Sequence, residues 1–304
     1  MLVGKYFRNI SKINRDHYFS GLSLNSKDIK KNNIFFAIKG SSINANKYIK
    51  DAILNGATTV VSDLNFKGKK NGILYINSNN PRLLLSKIIS KLYRNKSVNL
   101  VAVTGTNGKS SIADFFYQIL KLNKKAVASI GTLGIKSKFY NLKTNNTTLD
   151  PISLNIKIQK LKKKKINNVI LEASSHGLKQ NRLDSLNFNI GIFTNLSRDH
   201  LDYHRSYKDY LNSKLILFKN LLKKKSCIIT DTDIAQYKII KKIAKIKKKR
   251  VFTIGSNRNS LKLIKHSYND DKQILKINYN NKLYSLNLNL IGKIQIKNIF
   301  MAMI

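Results

Sequence analysis

A chain of 304 residues, 42% of them hydrophobic, has enough apolar material for two domains with their own cores and is excluded from global disorder. One cysteine, Cys227, rules out an internal disulfide; the start Met1-Leu2-Val3-Gly4-Lys5 lacks a signal-peptide core, and no apolar run approaches the ~20 residues that span a bilayer, so a cytoplasmic protein is expected. The formal charge of +42 is scattered among Asn and Ile in runs such as Lys30-Lys31-Asn32-Asn33-Ile34, which fits AT-rich codon usage rather than the concentrated basic face and aromatic platforms of a nucleic-acid binder.

Short apolar runs alternate with longer helical patterns, the signature of α/β architecture. Residues 34–38 predict a buried strand, 48–55 a helix closed by Gly56, and 58–61 and 73–76 two further strands. Pro81 opens a helix to about Tyr93, because its fixed φ is preorganised for a first turn. The polar residues 94–97 mark a boundary between a first α/β domain, 1–95, and a second, 96–304. The second begins with a strand at 100–103, a Gly-rich turn and a helix over 109–122. Strands follow at 127–130, 169–171, 190–193, 227–229 and 251–254, with helices over 151–165, 206–223 and 233–247, which predicts a mostly parallel central sheet. Alternation in Leu286-Asn287-Leu288-Asn289-Leu290 reads as antiparallel strand within 261–291. The last residues, 300–304, are an apolar helical end that needs a partner surface.

The turn Thr104-Gly105-Thr106-Asn107-Gly108-Lys109-Ser110-Ser111 joins a strand to a helix. Backbone N–H groups in that setting can cradle phosphates, helped by the partial positive charge of the helix N-terminus. Lys109 would reach the terminal phosphates and the Ser110 hydroxyl would bind the Mg²⁺ that bridges them. Val103 stands where the full Walker spacing needs its first glycine, so a shortened loop beginning at Gly105 fits instead. A plain strand–turn–helix corner is the alternative.

Three later segments carry more. Asn145-Asn146-Thr147-Thr148-Leu149-Asp150-Pro151 alone reads as a turn and helix cap. Glu172 opens the run Glu172-Ala173-Ser174-Ser175-His176-Gly177-Leu178-Lys179-Gln180-Asn181-Arg182 directly after a strand. A carboxylate there faces the crevice where open α/β sheets bind ligands and can serve Mg²⁺ as a hard oxygen donor. The third segment is Phe193-Thr194-Asn195-Leu196-Ser197-Arg198-Asp199-His200-Leu201-Asp202-Tyr203-His204.

The shortened loop is similar to that of the Mur ligase superfamily, and the three later segments resemble its MurE type; the resemblance covers essentially the whole chain. It implies an N-terminal UDP-binding α/β domain, a P-loop-type ATPase domain, and a third, Rossmann-like domain before which this sequence is expected to end. By resemblance, ATP would lie on Gly105, Thr106, Asn107, Gly108, Lys109, Ser110 and Ser111, with Asn298 of Gly292-Lys293-Ile294-Gln295-Ile296-Lys297-Asn298 near the adenine. Asn146, Thr147, Thr148, Ser174, Gln180 and Arg182 would hold UDP-N-acetylmuramoyl-L-Ala-D-Glu, Arg182 being suited to a carboxylate. Leu24, Ser26 and Ser41 belong to a stretch that resembles the family's uridine-binding start. Ser110, Glu172, His200 and Lys214 would serve Mg²⁺ ions, Lys214 as a carbamate formed with CO₂. Leu149, Asn25, Arg205 and Gln295 depart from the usual Pro, Asp, Gly and Asn.

The implied reaction, in which Lys109, Glu172, His200 and Lys214 would be catalytic, is ATP-dependent addition of a diamino acid, meso-diaminopimelate in preference to lysine. It makes peptidoglycan precursor through an acyl phosphate, in a monomer without nucleic-acid or membrane partners. A MurF or folylpolyglutamate synthetase type of ligase, a fragment that binds without ligating, and a basic nucleic-acid-stimulated NTPase are the competing readings.

Overall fold

The structure is a computed structural model that describes residues 1–304 except 9, 41, 42, 94, 96, 258, 259, 270, 271 and 291. The chain forms two units, residues 1–94 with 150–156, and residues 95–149 with 157–304. Residues 150–156 thus group with the first unit, although they lie beyond the polar stretch at 94–97.

In the first unit β1 (Gly21–Ser23), β2 (Asn33–Phe36), β3 (Ala57–Ser62), β4 (Gly68–Lys70) and β5 (Ile73–Asn77) form a sheet in the order β1-β2-β3-β5-β4, parallel except at β4. Alternation sorts its faces. Ile34 and Phe36 bury with Val61, Leu74 and the helix α2 (Pro81–Leu92), whereas Phe35 and Ala37 pack with Ala52 of α1 (Ile49–Leu54). Pro81 occupies the start of α2, and the Asn80 side chain accepts the Leu83 N–H at 3.0 Å. Replacing Asn80 with alanine removes this cap and is expected to lower stability by ~1 kcal/mol in urea unfolding.

In the second unit β6 (Asn99–Thr104), β7 (Val127–Gly131), β8 (Gly134–Ser137), β9 (Asn141–Leu142), β10 (Asn168–Glu172), β11 (Phe188–Phe193), β12 (Leu222–Asp231) and β13 (Arg250–Ile254) form one sheet. Its order is β13-β12-β11-β6-β10-β7-β8-β9, parallel from β13 to β7 and antiparallel at the β8–β9 edge. Chain order reverses about β6, so the C-terminal end of β6 is the switch point at which such sheets bind ligands. The helices are α3 (Lys109–Leu122), α4 (Pro151–Lys163), α5 (Ser175–Lys179), α6 (Tyr207–Ile216), α7 (Tyr237–Ile246) and α8 (Lys293–Met303); α4 begins in the first unit and ends in the second. An antiparallel meander, β14 (Lys262–Asn269), β15 (Lys272–Tyr279) and β16 (Lys282–Leu288), precedes α8.

Two elements differ from the sequence reading. The helix expected over 206–223 ends at Ile216, widens into a π-type turn at Leu217–Leu221, and gives way to strand at Leu222. Leu217, Phe218 and Leu221 are buried at helix-like spacing, which is why the pattern reads as one longer helix. The apolar end finds its partner surface internally: Phe300, Met301 and Ala302 join Ile112 and Ala113 of α3 and Leu275 and Ile277 of β15 in one core. Among the described residues no helix is long and apolar enough to cross a membrane.

Candidate functional site

β6 is buried along Leu100–Thr104, as a parallel strand covered on both faces requires, and it delivers the chain into the glycine loop. Gly105 and Gly108 have φ of +152° and +84°. A side chain at Gly105 would place its Cβ 1.8 Å from Thr194 Oγ1, and one at Gly108 would come 2.5 Å from Asn298 Oδ1. The loop is held from the end of β11: the Thr106 N–H donates to the Asn195 carbonyl and the Asn107 N–H to Asn195 Oδ1, both at 3.0 Å, while the Thr194 hydroxyl donates to the Asn107 carbonyl at 2.7 Å. Gly108 caps α3 without a side-chain acceptor, which leaves the first-turn N–H groups available to an anion. They border a cleft of about 350 Å³ that also receives Thr132, Thr147, Glu172, Ser174, His200 and Lys214. Gly105→Ala forces both a clash and a strained φ, and thermal unfolding should report a loss of ~2 kcal/mol.

Glu172, 2% exposed, ends β10 with its carboxylate in the cleft. Oε2 accepts the Ser110 hydroxyl at 2.9 Å and the Thr132 hydroxyl at 3.2 Å, and Oε1 accepts the Thr132 N–H at 2.8 Å. Gly131 makes the room, since a Cβ there would fall 2.1 Å from Oε1. An anionic oxygen beside a serine hydroxyl at the mouth of a phosphate loop suits a hard cation such as Mg²⁺. Among the described residues no group of three His, Cys, Asp or Glu side chains is arranged to hold a metal ion by itself, so further donors for a cation would come from Ser110, Lys214 chemistry, phosphate and water.

Two lysines share one acceptor. Lys109 Nζ donates to the Gly105 carbonyl at 3.1 Å and the Thr106 carbonyl at 2.7 Å, and Lys214 Nζ donates to the same Gly105 carbonyl at 2.7 Å. Burial lowers the pKa of Lys109, against the opposing pull of Glu172 and Asp199. Lys214, 1% exposed, is brought down to about 7 by burial and then by the charge of Lys109, with Asp199 opposing. Its Nζ lies 4.3 Å over the ring of Tyr210, whose hydroxyl is 3.2 Å from Thr106 Oγ1. The cleft therefore holds a lysine that is substantially neutral near pH 7, the form that reacts with CO₂.

Thr148 is a staple rather than an open ligand group. Its hydroxyl donates to the Glu172 carbonyl at 2.8 Å, accepts the Ser174 N–H at 3.0 Å and touches Ser174 Oγ at 3.0 Å, while Ser174 Oγ caps α5 at Gly177. Thr147 borders the cleft, 3.0 Å from the Thr132 hydroxyl, and Asn146 is exposed. Arg182 donates to the Thr148 carbonyl at 2.7 Å and, through Nε and Nη2, to Gln180 Oε1, whose Nε2 reaches the Tyr203 hydroxyl at 3.1 Å. His200 has φ +52°, is half exposed and sits 5.1 Å edge-on from His176, which stacks at 3.9 Å on Tyr203. Arg205, where the resemblance has glycine, is not among the positive-φ residues, so its turn does not need one. On α8, Asn298 is buried against Gly108 and its Nδ2 donates to Gln295 at 3.1 Å, so the departure at Gln295 supplies its neighbour's acceptor.

In the first unit Leu24 packs against the core and Ser26 is buried at a short turn. Asn25 caps that turn, accepting the Lys27 N–H at 3.1 Å, as aspartate would. Ser41 lies outside the described residues.

Residues 103–304 match the Mur ligase middle domain. The chain belongs to the Mur ligase family. Over 302 residues it is 35% identical to the UDP-N-acetylmuramoyl-L-alanyl-D-glutamate–2,6-diaminopimelate ligase of Rickettsia montanensis, covering 97% of this chain and 62% of that protein. The ligase of the same name from Rickettsia bellii is 37% identical over 290 residues, 94% of this chain and 60% of that one. A solved structure of a UDP-N-acetylmuramoyl-L-alanyl-D-glutamate–2,6-diaminopimelate ligase superposes with a TM-score of 0.86 at 25% identity, covering 99% of this chain and 62% of that chain. This Mur ligase chain thus resembles the MurE type and spans about 62% of the length of such relatives. Sequence reasoning missed Thr132, which holds the Glu172 carboxylate, and Tyr210 beneath Lys214, and it quoted Thr194 and Asn195 only within the 193–204 segment, without the role of holding the Mur ligase loop. The Gly131-Thr132-Leu133-Gly134 turn at the end of a predicted strand was the one available signal for Thr132.

Proposed function

We propose that this chain provides the ATP and UDP-N-acetylmuramoyl-L-Ala-D-Glu sites of a MurE-type ligase and adds meso-diaminopimelate to the D-Glu γ-carboxylate. The observation that carries this reading is Lys214, buried yet brought down to about 7, in the same cleft as the Ser110–Glu172 pair and the glycine loop. Two anions must meet in the first step, when the γ-carboxylate attacks the ATP γ-phosphate and yields an acyl phosphate and ADP. The diamino acid amine then displaces phosphate. Mg²⁺, when bound, supplies charge neutralisation of the phosphate oxygens.

The chain's own residues do the rest. First-turn N–H groups of α3 hold the phosphates, and Lys109 turns from its carbonyl partners to the terminal phosphate. Glu172 and Ser110 offer oxygen donors to the cation, with His200 beside them in the cleft. Neutral Lys214 adds CO₂ at Nζ and releases a proton, so an uncharged amine becomes an anionic oxygen donor. Ser174, Gln180 and Arg182 receive the dipeptide, Arg182 by pairing with a carboxylate, and Leu24 and Ser26 receive the uridine end. Asn298, packed on the loop glycine, flanks the nucleotide base.

The test is incubation of the purified chain with the UDP-dipeptide, ATP, Mg²⁺, bicarbonate and either meso-diaminopimelate or L-lysine, read by mass spectrometry. A tripeptide carrying diaminopimelate is expected. A lysine product would overturn the amino-acid assignment. Saturable UDP-dipeptide binding without product would remove the ligation step, and absence of binding in a folded sample would remove the site assignment.

A further inference from the structure

A second cleft opens at the opposite end of the same strands. Ala126 and Val127 lead into β7 and Ile166 lies just before β10, so this cleft sits at their N-terminal ends, whereas Thr132 and Glu172 stand at their C-terminal ends. α3 spans the two, with Lys109 in the phosphate cleft and Lys121 in the other, ~20 Å along its axis. The cleft measures about 630 Å³, within the range of small-molecule sites.

Six of its twelve lining residues are lysines and none is acidic, although Lys and Arg are only 57 of 304 residues in the chain, about one in five. The general lysine excess does not account for that density. Among the described residues none of the six forms an ion pair with a carboxylate. The backbone gathers them. α3 and α4 both end here, and Lys124 and Lys165 adopt φ of +56° and +59° to reverse the chain. Their N–H groups return to the Lys121 and Lys162 carbonyls at 3.0 and 2.9 Å, which satisfies helix-end carbonyls that would otherwise repel an anion. The walls are apolar and aromatic. Lys164 Nζ lies 5.4 Å over the Phe139 ring and Lys121 Nζ 6.0 Å from the Tyr117 ring centre, and Phe139 remains 48% exposed.

We propose that this cleft binds a nucleoside polyphosphate, its base stacked on Phe139 and Tyr117 and its phosphates among the lysines. Unpaired cations supply the attraction for phosphate, and a half-exposed ring supplies a face for any base. The residues involved are separate from those of the ligase reading, and neither proposal depends on the other.

The experiment is equilibrium dialysis of ADP against the intact chain, with folding of each variant checked by circular dichroism. The wild type should bind two equivalents, and Lys109→Ala should leave one class of site with its affinity unchanged. Adding Lys164→Glu and Lys165→Glu, both at exposed positions, should weaken that remaining class by roughly tenfold or more. Inorganic tripolyphosphate should compete for it roughly tenfold less well than ADP, because it cannot stack. The proposal is overturned if Lys109→Ala abolishes all binding, or if the charge reversals leave the remaining class unchanged. Equal competition by tripolyphosphate would overturn the nucleoside assignment. Failure of the P-loop site alone would appear as a single equivalent that the charge reversals remove, which bears on the ligase reading instead.

Discussion

Lys214→Met is expected to leave the fold intact and, on the proposed ligase reading, to reduce ligation by ~10³-fold or more, because it conserves side-chain volume and removes the amine proposed to add CO₂. The stability readout is as informative as the rate. Burial and the charge of Lys109 lower Lys214 from the ordinary lysine value of 10.5 to about 7. Between those two values the unfolded chain holds the proton and the folded chain does not. Stability contributed by this group therefore rises with pH across that window, and below about 7 both states are protonated and the buried charge costs its full amount. In CO₂-free buffer, urea midpoints of the wild type should climb from pH 7 toward pH 10 relative to the methionine variant. Bicarbonate activation of turnover should grow as pH rises through 7, since only the neutral amine is competent. A variant that keeps more than about a tenth of wild-type turnover would show that Lys214 is packing alone.

Glu172→Gln should cost ~10²-fold or more in kcat and move the Mg²⁺ requirement to higher concentration. Glutamine fits the same space, so folding is preserved, but its amide nitrogen donates where a carboxylate oxygen accepts. The amide oxygen can keep the Thr132 N–H while the amide nitrogen turns to the Ser110 and Thr132 hydroxyls, which rotate to accept, so what the variant loses is the anionic oxygen offered to the cation. The comparison variant is Thr132→Val, which removes one hydroxyl at 3.2 Å and keeps the N–H bond; it should lower kcat only a few-fold. Equal kcat and equal Mg²⁺ dependence in Glu172→Gln would mean that the carboxylate braces the Thr132 turn and does nothing to the nucleotide.

Much of the frame was legible without coordinates. The helix read over 109–122 is α3, bounded as Lys109–Leu122, because a loop glycine, a helical apolar face and a polar end coincide there. β6, β10 and β11 were visible as continuous apolar runs, as strands covered on both faces must be. β1, β4, β8, β9 and α5 each hold at most one large apolar residue, so they lack the apolar run that marks equally short strands such as β2 and β10, and they were not read. The turn after Ile216 kept helical spacing while leaving the helix, a change that periodicity does not register.

What the sequence determined by itself was the order of strands and helices, the glycine loop, and the placement of Glu172 at the C-terminal end of a strand, since each depends on neighbours along the chain. Tertiary structure alone decided the chemistry of those groups. Ser110 meets Glu172 across 62 residues, Thr132 holds it across 40, and Lys214 reaches the Gly105 carbonyl across 109. Lys214 reads in sequence as one lysine among many. Only its removal from water and its placement beside the charge of Lys109 bring its pKa down to about 7, because desolvation and charge interaction are set by what packs around a group rather than by what precedes it.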